Sequence, residues 1–235
     1  MKWREISQNP VDSSVHEFLL NYLKQAKEII DFNEFEFLKK FVDGRSVLDI
    51  GVVEHDITHI NSDGWKHRKI KKWANKVIGI DILEEEVDIL NGMGFDVRLI
   101  DATSSSDLGE RFERVVIGDV IEHVSNPVNL LEFASRHLTE DGVIMVSTPN
   151  PFNYLFINRV IKEGTFIANA EHISWITPTM AMEIANRAGV RLKSYHPFIG
   201  KPKSIVKRLL KKILAFVMRE DNEIYASSYV YLFCK

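Results

Sequence analysis

The amino-acid sequence predicts an α/β fold: a three-layer sandwich in which helices cover both faces of a mostly parallel β-sheet. Short apolar runs of strand length alternate with amphipathic helical segments after Gly44, which is the pattern of βαβ units. Glycine or aspartate directly follows each of the first three runs, as expected where strands end in turns. The 235 residues are 45% apolar and 27% charged, a balance typical of a globular chain with one sizeable core.

The beginning of the chain predicts a helical cap. Ser14 and Glu17 have the spacing of a capping box, and apolar residues recur behind them at helical spacing. The pattern breaks near Asn33 and then resumes. We therefore expect one or two amphipathic helices over residues 1–43, packed on a main domain that spans residues 44–235.

Five strands and three connecting helices are predicted in the middle of the chain. The strands are 46–50, 76–80, 96–100, 114–117 and 142–147, and the helices are 65–75, 84–93 and 127–138. Strands that alternate with helices form right-handed crossovers, so we expect these five strands to be parallel.

The end of the chain adds a helix over 178–188, closed by Gly189, and two further strands over 190–196 and 227–233. Residues 165–176 are predicted to form a loop over the functional site.

A basic segment, residues 201–219, lies between the last two strands. It contains seven lysine or arginine residues, no acidic residue and an apolar stripe at helical period, which predicts a basic amphipathic helix. Two interpretations remain open: the helix lies on an anionic membrane, or its stripe packs on the domain or on another subunit. Nucleic acid is not an expected partner, because aromatic residues are scarce among the basic ones.

The composition favours a cytoplasmic protein. The single cysteine, Cys234, cannot form an internal disulfide, which suits a reducing compartment. The first residues lack the apolar stretch of a signal peptide. We expect peripheral contact with the inner membrane face only if the basic segment binds lipid.

The strand ends predict a pocket for a nucleoside. In an open parallel sheet, ligands bind outside the carboxyl ends of the strands. Gly51 allows a sharp turn and close approach of a ligand to the backbone. Asp81 is placed to accept both hydroxyls of a ribose, and Asp101 to accept from an exocyclic amine. An aspartate after a strand can also serve simply as a turn former. That explanation accounts for any single one of these residues more readily than for all of them together.

Successive motifs of this chain resemble those of class I S-adenosylmethionine-dependent methyltransferases. They are 47–51 (VLDIG), 79–81 (GID), 101–102 (DA), 118–123 (GDVIEH), 138–142 (LTEDG) and 147–151 (STPNP), and 172–189 continues the match. The resemblance covers roughly residues 45–197, and it implies a Rossmann-like, seven-stranded sheet with an antiparallel last strand.

The resemblance also implies S-adenosyl-L-methionine as cofactor. Gly51 would lie beside the methionine moiety, Asp81 would bind the ribose, and Asp119 would lie near the sulfonium. Asp101 and Ala102 would hold the adenine. The full predicted cofactor site is Asp49, Gly51, Asp81, Ile82, Asp101, Ala102 and Asp119.

The first loop departs from the family pattern. The family carries two or three glycines at alternate positions, whereas this loop reads Gly51-Val52-Val53-Glu54-His55. We expect a longer loop through residues 56–64, in which His55, Trp65 and His67 either contribute to an altered wall or face solvent. The alternative is weak or lost cofactor binding, as in a catalytically inactive binding or regulatory protein.

Four residues are predicted to be catalytic. Methyl transfer requires alignment of a nucleophile and, for a hydroxyl acceptor, removal of a proton. Positions i, i+3 and i+4 place three of the residues on one side of a turn, and the fourth lies in the predicted loop. The four are Asp119, Glu122, His123 and His172.

The same four residues fit a divalent cation such as Mg²⁺. They are similar to the metal-binding arrangement of the ubiquinone-pathway and small-RNA 2′-O-methyltransferases, which use Glu where this chain has Asp119. Without a metal, Glu122 and His123 would form a structural pair.

The predicted function is O-methylation of a hydroxyl on a sugar, glycan or other small molecule. The acceptor follows from the resemblance to methyltransferases of cell-surface polysaccharide pathways. A nicotinamide-dependent oxidoreductase is not favoured, because no G-x-G-x-x-G sequence follows the first strand.

Overall fold

The computed structural model describes residues 3–29, 33–54, 57–198 and 223–235, with only the backbone of residues 57 and 59. Its strands are β1 (Ser46–Ile50), β2 (Lys76–Asp81), β3 (Val97–Leu99), β4 (Phe112–Gly118), β5 (Leu138–Pro149), β6 (Arg191–Phe198) and β7 (Ser228–Cys234). They form one sheet in the order β3-β2-β1-β4-β5-β7-β6. Strands β1 to β5 are parallel, and β7 is antiparallel to both β5 and β6. The predicted fold class is therefore confirmed.

The helices lie where the apolar periodicity predicts them, with one addition. They are α1 (Ser13–Ala26), α2 (Glu34–Val42), α3 (Lys66–Trp73), α4 (Glu84–Gly92), α5 (Pro127–Arg136), α6 (Tyr154–Glu163) and α7 (Pro178–Arg187). The predicted helix 127–138 is too long at its end, because Leu138 pairs with Phe112 and begins β5. Helix α6 is the addition, since no periodic apolar stripe in the sequence predicts it.

The three layers arise from the alternation of side chains along the central strands. Leu48 and Val115 point into a core beneath α1, α5 and α7. Their neighbours Val47 and Val116 point to the opposite face, into a core beneath α2 and α3. All four side chains are at most 1% exposed, so both faces of the sheet are covered.

The N-terminal cap consists of α1 and α2, but its predicted capping box is wrong. Helix α1 begins one residue before Ser14, and no side chain forms a capping hydrogen bond there. The capping box is in α2 instead, where Asn33 Oδ1 accepts from the Glu36 amide at 3.0 Å and Glu36 Oε2 accepts from the Asn33 amide at 3.2 Å. The predicted interruption near Asn33 is thus the start of a second helix.

Two sequence predictions fall on residues outside the described ranges: the basic segment and His55. The division at residue 43 stays a prediction. Within the described ranges, no helix has both the length and the apolar character needed to traverse a bilayer.

Candidate active site

A cavity of about 660 Å³ opens at the carboxyl ends of β1, β2, β3 and β4. Its walls also include the loop after β1, the start of α3 and Glu171 of the predicted covering loop. This size suits a small-molecule or cofactor site. All seven residues of the predicted cofactor site line it: Asp49, Gly51, Asp81, Ile82, Asp101, Ala102 and Asp119.

Asp81 lines this cavity at the end of β2 and is only 7% exposed. Its Oδ2 accepts from the Val53 amide at 2.8 Å, and its Oδ1 accepts from the amides of Ile82 at 2.7 Å and Leu83 at 3.2 Å. Burial raises the pKa of this carboxyl, and this effect outweighs the hydrogen bonds from the three amides, which lower the pKa. A carboxylate has about four lone-pair sites, so Asp81 can still accept from ligand hydroxyls.

Gly51 lets the chain turn away from β1 directly above the cavity floor. Its φ is 76°, and a Cβ at this position would lie 2.3 Å from Val120 Cγ2. Only glycine fits here without strain, on grounds of both backbone conformation and space. Val120 therefore occupies the space that a side chain at Gly51 would need, and the backbone of Gly51 itself lines the cavity.

The rest of the first loop is held by apolar packing instead of glycine turns. Val52 and Val53 are 3% and 7% exposed, and they share a buried cluster with Ile60 and Trp65. The Trp65 indole N–H donates to the Val52 carbonyl at 2.9 Å. This anchoring holds the Val53 amide against Asp81.

His67 forms part of the cavity wall, and Trp65 supports the wall from behind. His67 Nδ1 lies 2.8 Å from Asp49 Oδ2, and the ring is 1% exposed. A Cβ on Gly79 would lie 2.9 Å from His67 Cε1, so the ring rests on the backbone of β2. Because both aromatic side chains are buried, the solvent-facing alternative is wrong for Trp65 and His67.

The adenine end of the predicted site is more open. The Asp101 side chain is exposed, and its Oδ1 accepts from the Thr103 amide and hydroxyl, each at 2.7 Å. Ala102 is buried, and Ile100 and Leu130 add apolar surface to the lining. A flat heterocycle fits such a combination of apolar walls and an acceptor at the rim.

Asp119 directly follows β4 and has a left-handed conformation, with φ 54°. Its Oδ2 lies 2.8 Å from Lys66 Nζ, and the same amine lies 3.1 Å from Glu34 Oε1. Burial alone would lower the pKa of Lys66, but the attraction of the two carboxylates outweighs it and the pKa is raised. Lys66 is therefore fully charged, and the sequence analysis does not predict its presence at the site.

Glu122, His123 and His172 come together beside the cavity. Their potential ligand atoms all lie within 4.8 Å of one another, and the two imidazole rings meet edge to face at 4.8 Å. Asp119, the fourth predicted member, pairs with Lys66 instead.

Glu122 is fully buried, and among the described residues no hydrogen bond reaches its carboxyl oxygens. Burial, with a smaller contribution from Asp119, raises the pKa of Glu122 to about 7. The Glu122 carbonyl accepts from the amides of Ile173 at 3.0 Å and Ser174 at 3.2 Å. This pairing fixes the loop that carries His172.

The predicted covering loop, residues 165–176, contains neither helix nor strand. Trp175 contacts His172 with ring centroids 5.5 Å apart, and Phe156 of α6 contacts Trp175 at 5.7 Å. An aromatic chain thus connects α6 to the imidazole pair.

Comparisons with known proteins agree with this geometry. A family model described as a methyltransferase domain matches residues 14–195. The ubiquinone biosynthesis O-methyltransferase of Ruegeria sp. (strain TM1040) is 24% identical over 170 residues, which cover 68% of this chain and 65% of that protein. The (S)-coclaurine N-methyltransferase of Thalictrum flavum subsp. glaucum is 25% identical over 131 residues, which cover 53% of this chain and 36% of that protein. The matches thus span between about a third and two thirds of these curated relatives.

Solved structures show the same fold. A SAM-dependent methyltransferase from Archaeoglobus fulgidus superposes with a TM-score of 0.57 at 19% identity, covering 94% of this chain and 99% of that one. The family model covers most of the sequence, and the seven-stranded sheet with an antiparallel last strand and the strand-end cavity are those that the motifs predict. The chain therefore belongs to the methyltransferase-domain family, in the class I S-adenosylmethionine-dependent group.

Proposed function

We propose that this protein transfers a methyl group from S-adenosylmethionine to a hydroxyl of a sugar, glycan or other small molecule. The observation that carries the proposal is the position of His123, which lines the cavity and also belongs to the cluster of buried Glu122 with half-buried His123 and His172. Groups that can bind an acceptor and move its proton therefore adjoin the predicted cofactor cavity.

The residues fit the cofactor. Asp81 offers a buried acceptor for the ribose, Gly51 presents bare backbone to the cavity, and Ala102 contributes to an apolar slot. When bound, S-adenosylmethionine supplies an electrophilic methyl group. The remaining task of the protein is to align the acceptor and to take up its proton.

Proton removal falls to the cluster of Glu122, His123 and His172. A base is most effective when its pKa lies near the working pH, and the pKa of Glu122 is about 7. His123 has a ligand atom within 4.8 Å of this carboxyl and also lines the cavity, which Glu122 does not line. We assign His123 as the group that contacts the acceptor hydroxyl, with Glu122 and His172 setting its orientation and charge.

The experiment supplies labelled S-adenosylmethionine with pooled sugars, glycans and quinone precursors, and with amines as competing acceptors. We expect label on a hydroxyl, at least 100-fold slower transfer by His123→Gln, and unchanged transfer by His16→Gln, whose side chain is exposed on α1. Label on amines alone would contradict O-methylation. Cofactor binding without transfer to any acceptor would favour the catalytically inactive alternative.

A divalent cation is a second part of the proposal, as an alternative to direct proton uptake by His123: His123 would then be a ligand of the ion, and the ion would contact the acceptor hydroxyl. Glu122 offers two buried oxygens that receive no hydrogen bond from the part of the chain that the structure describes, and His123 and His172 offer imidazole nitrogens. Because Asp119 is held by Lys66, this set is richer in nitrogen than the one predicted from the sequence. Such a set suits Mn²⁺ or Zn²⁺ better than Mg²⁺, and a bound ion would lower the pKa of an acceptor hydroxyl.

Removal of the metal tests this part. We expect about one equivalent of a transition ion in protein purified without chelator, and its loss in Glu122→Gln, which keeps the size of the side chain. Dialysis against a chelator should reduce transfer at least tenfold, with recovery on adding Mn²⁺ or Zn²⁺. Full transfer by metal-free protein would rule the cation out.

We also propose that the protein acts at the cytoplasmic face of a membrane. Support comes from the basic segment and from α6, where Leu155 is 55% exposed and Ile161 is 76% exposed beside Arg159 and Lys162. Exposed apolar side chains next to cations favour an anionic lipid surface.

Vesicle sedimentation at low salt tests the membrane contact. Vesicles with anionic lipid should retain the protein, and neutral vesicles should not. Lys211→Glu combined with Lys212→Glu should release most of it, since each cation near such a surface contributes about 1 kcal/mol. Absence from the anionic vesicle pellet would contradict the proposal.

A further inference from the structure

The cavity has two chemically different ends, set by the order of the strands. Asp101 follows β3, Asp81 ends β2, Gly51 follows β1 and Asp119 follows β4, and these strands are neighbours in that order. Three interstrand spacings make about 14 Å from the first to the last. One end thus offers a heterocycle slot, and the other offers the ion pair of Lys66 and Asp119.

This ion pair is built into the cavity wall. Both residues line the cavity, the Lys66 side chain is 24% exposed, and its amine lies 2.8 Å from Asp119 Oδ2. The lysine comes from the first turn of α3, directly after the loop in which this chain has a single glycine. The amine also contacts Glu34 of α2 at 3.1 Å, which holds it in place when Asp119 changes partner.

The amino-acid end of S-adenosylmethionine is a zwitterion, with a carboxylate and an ammonium group on the same carbon. A lysine–aspartate pair matches it charge for charge. If the pair exchanges partners on binding, every charge keeps a counter-charge, and the penalty for burying an unpaired ion is avoided.

We infer that Lys66 and Asp119 form the receptor for the amino-acid end of the cofactor, with the Lys66 amine binding its carboxylate and the Asp119 carboxylate binding its ammonium group. The inference rests on the assignment of the cofactor. It gives Lys66 a role that glycine-rich backbone cannot supply, namely a full positive charge at this end of the cavity.

Calorimetric titration with two ligands tests the inference. S-adenosylhomocysteine carries the amino-acid end, and methylthioadenosine lacks it. We expect Lys66→Met to weaken S-adenosylhomocysteine at least tenfold, the effect of one lost hydrogen bond between charged groups, and to leave methylthioadenosine within twofold. Lys72→Met, at an exposed position of the same helix, should change neither.

A second variant distinguishes the loss of the positive charge from misfolding. Lys66→Arg keeps the charge and should retain most of the preference for S-adenosylhomocysteine over methylthioadenosine, whereas Lys66→Met should lose it. Equal weakening of both ligands by Lys66→Met, or no weakening of either, would overturn the role of Lys66 and leave the cofactor assignment intact. Failure of the unmodified protein to bind either ligand would instead overturn the cofactor assignment.

Discussion

Replacing Asp81 by alanine is expected to abolish the stabilisation of the protein by S-adenosylmethionine. A ligand at 100 times its Kd adds about 2.7 kcal/mol to the free energy of unfolding, which raises Tm by about 5 to 10 °C for a chain of this size. Asp81 is the buried acceptor at the middle of the cavity and also fixes the Val53 amide of the first loop. Loss of the Asp81 carboxylate removes the group that binds the ribose. It also removes the hydrogen bond that holds the first loop.

Two comparisons make the Asp81 experiment specific. Each variant is measured against its own ligand-free Tm, because three backbone amides lose their acceptor when the carboxylate is removed. Asp96→Ala removes an exposed carboxylate outside the cavity lining, and it should keep the full shift. An undiminished shift in Asp81→Ala would exclude the assigned ribose contact.

Replacing Gly51 by alanine is expected to destabilise the fold more than the same change at Gly44. Both glycines have positive φ, 76° and 68°, and alanine in this region costs about 1 to 2 kcal/mol. Of the two, Gly51 also has a neighbour in the way, Val120 Cγ2 at 2.3 Å, whereas no atom of the described residues lies within 4 Å of a Cβ on Gly44. Overpacking adds about 1 to 3 kcal/mol.

Chemical denaturation of a small set of variants separates the two costs at Gly51. Gly44→Ala reports the backbone cost alone. Combining Gly51→Ala with Val120→Ala removes the colliding methyl group and should recover most of the additional loss, apart from the cost of the Val120 truncation measured on its own. Equal destabilisation by the Gly44 and Gly51 changes would show that Val120 does not confine the first loop.

Much of the sheet could be predicted from the sequence because apolar runs and turn residues are local signals. Each of the predicted strands is present. Asp81 and Asp101 lie at the carboxyl ends of β2 and β3, as their positions in the sequence indicate. Boundaries that depend on pairing could not be predicted this way. Leu138 continues a helical pattern in the sequence, but it pairs with Phe112 across the sheet.

Helix α6 was not predicted because its apolar residues do not define one buried face. Six of its ten residues are apolar, yet none is buried. Its start depends on the Asn153 side chain, which accepts from the Leu155 amide at 2.9 Å, and its end on Gly164 in a left-handed conformation. Such end signals are weak without a periodic stripe between them.

Lys66 was missed for a different reason. It belongs to a basic run, KHRKIKKW, that resembles a solvated helix face. Which of these cations reaches the site depends on how α3 packs against the domain, and Trp65 and His67, on either side of Lys66, are buried there. Burial of this kind comes from tertiary packing and has no signature in local spacing.

The central claim is that a single adenosyl donor lies across the ends of β3, β2, β1 and β4 although the first loop has one glycine. A crystal structure of the protein with S-adenosylhomocysteine tests this most directly. We expect the ribose hydroxyls against the Asp81 carboxylate and the amino-acid group between Lys66 and Asp119. A saturated crystal in which Val52 and Val53 fill the cavity and exclude the ligand would contradict it.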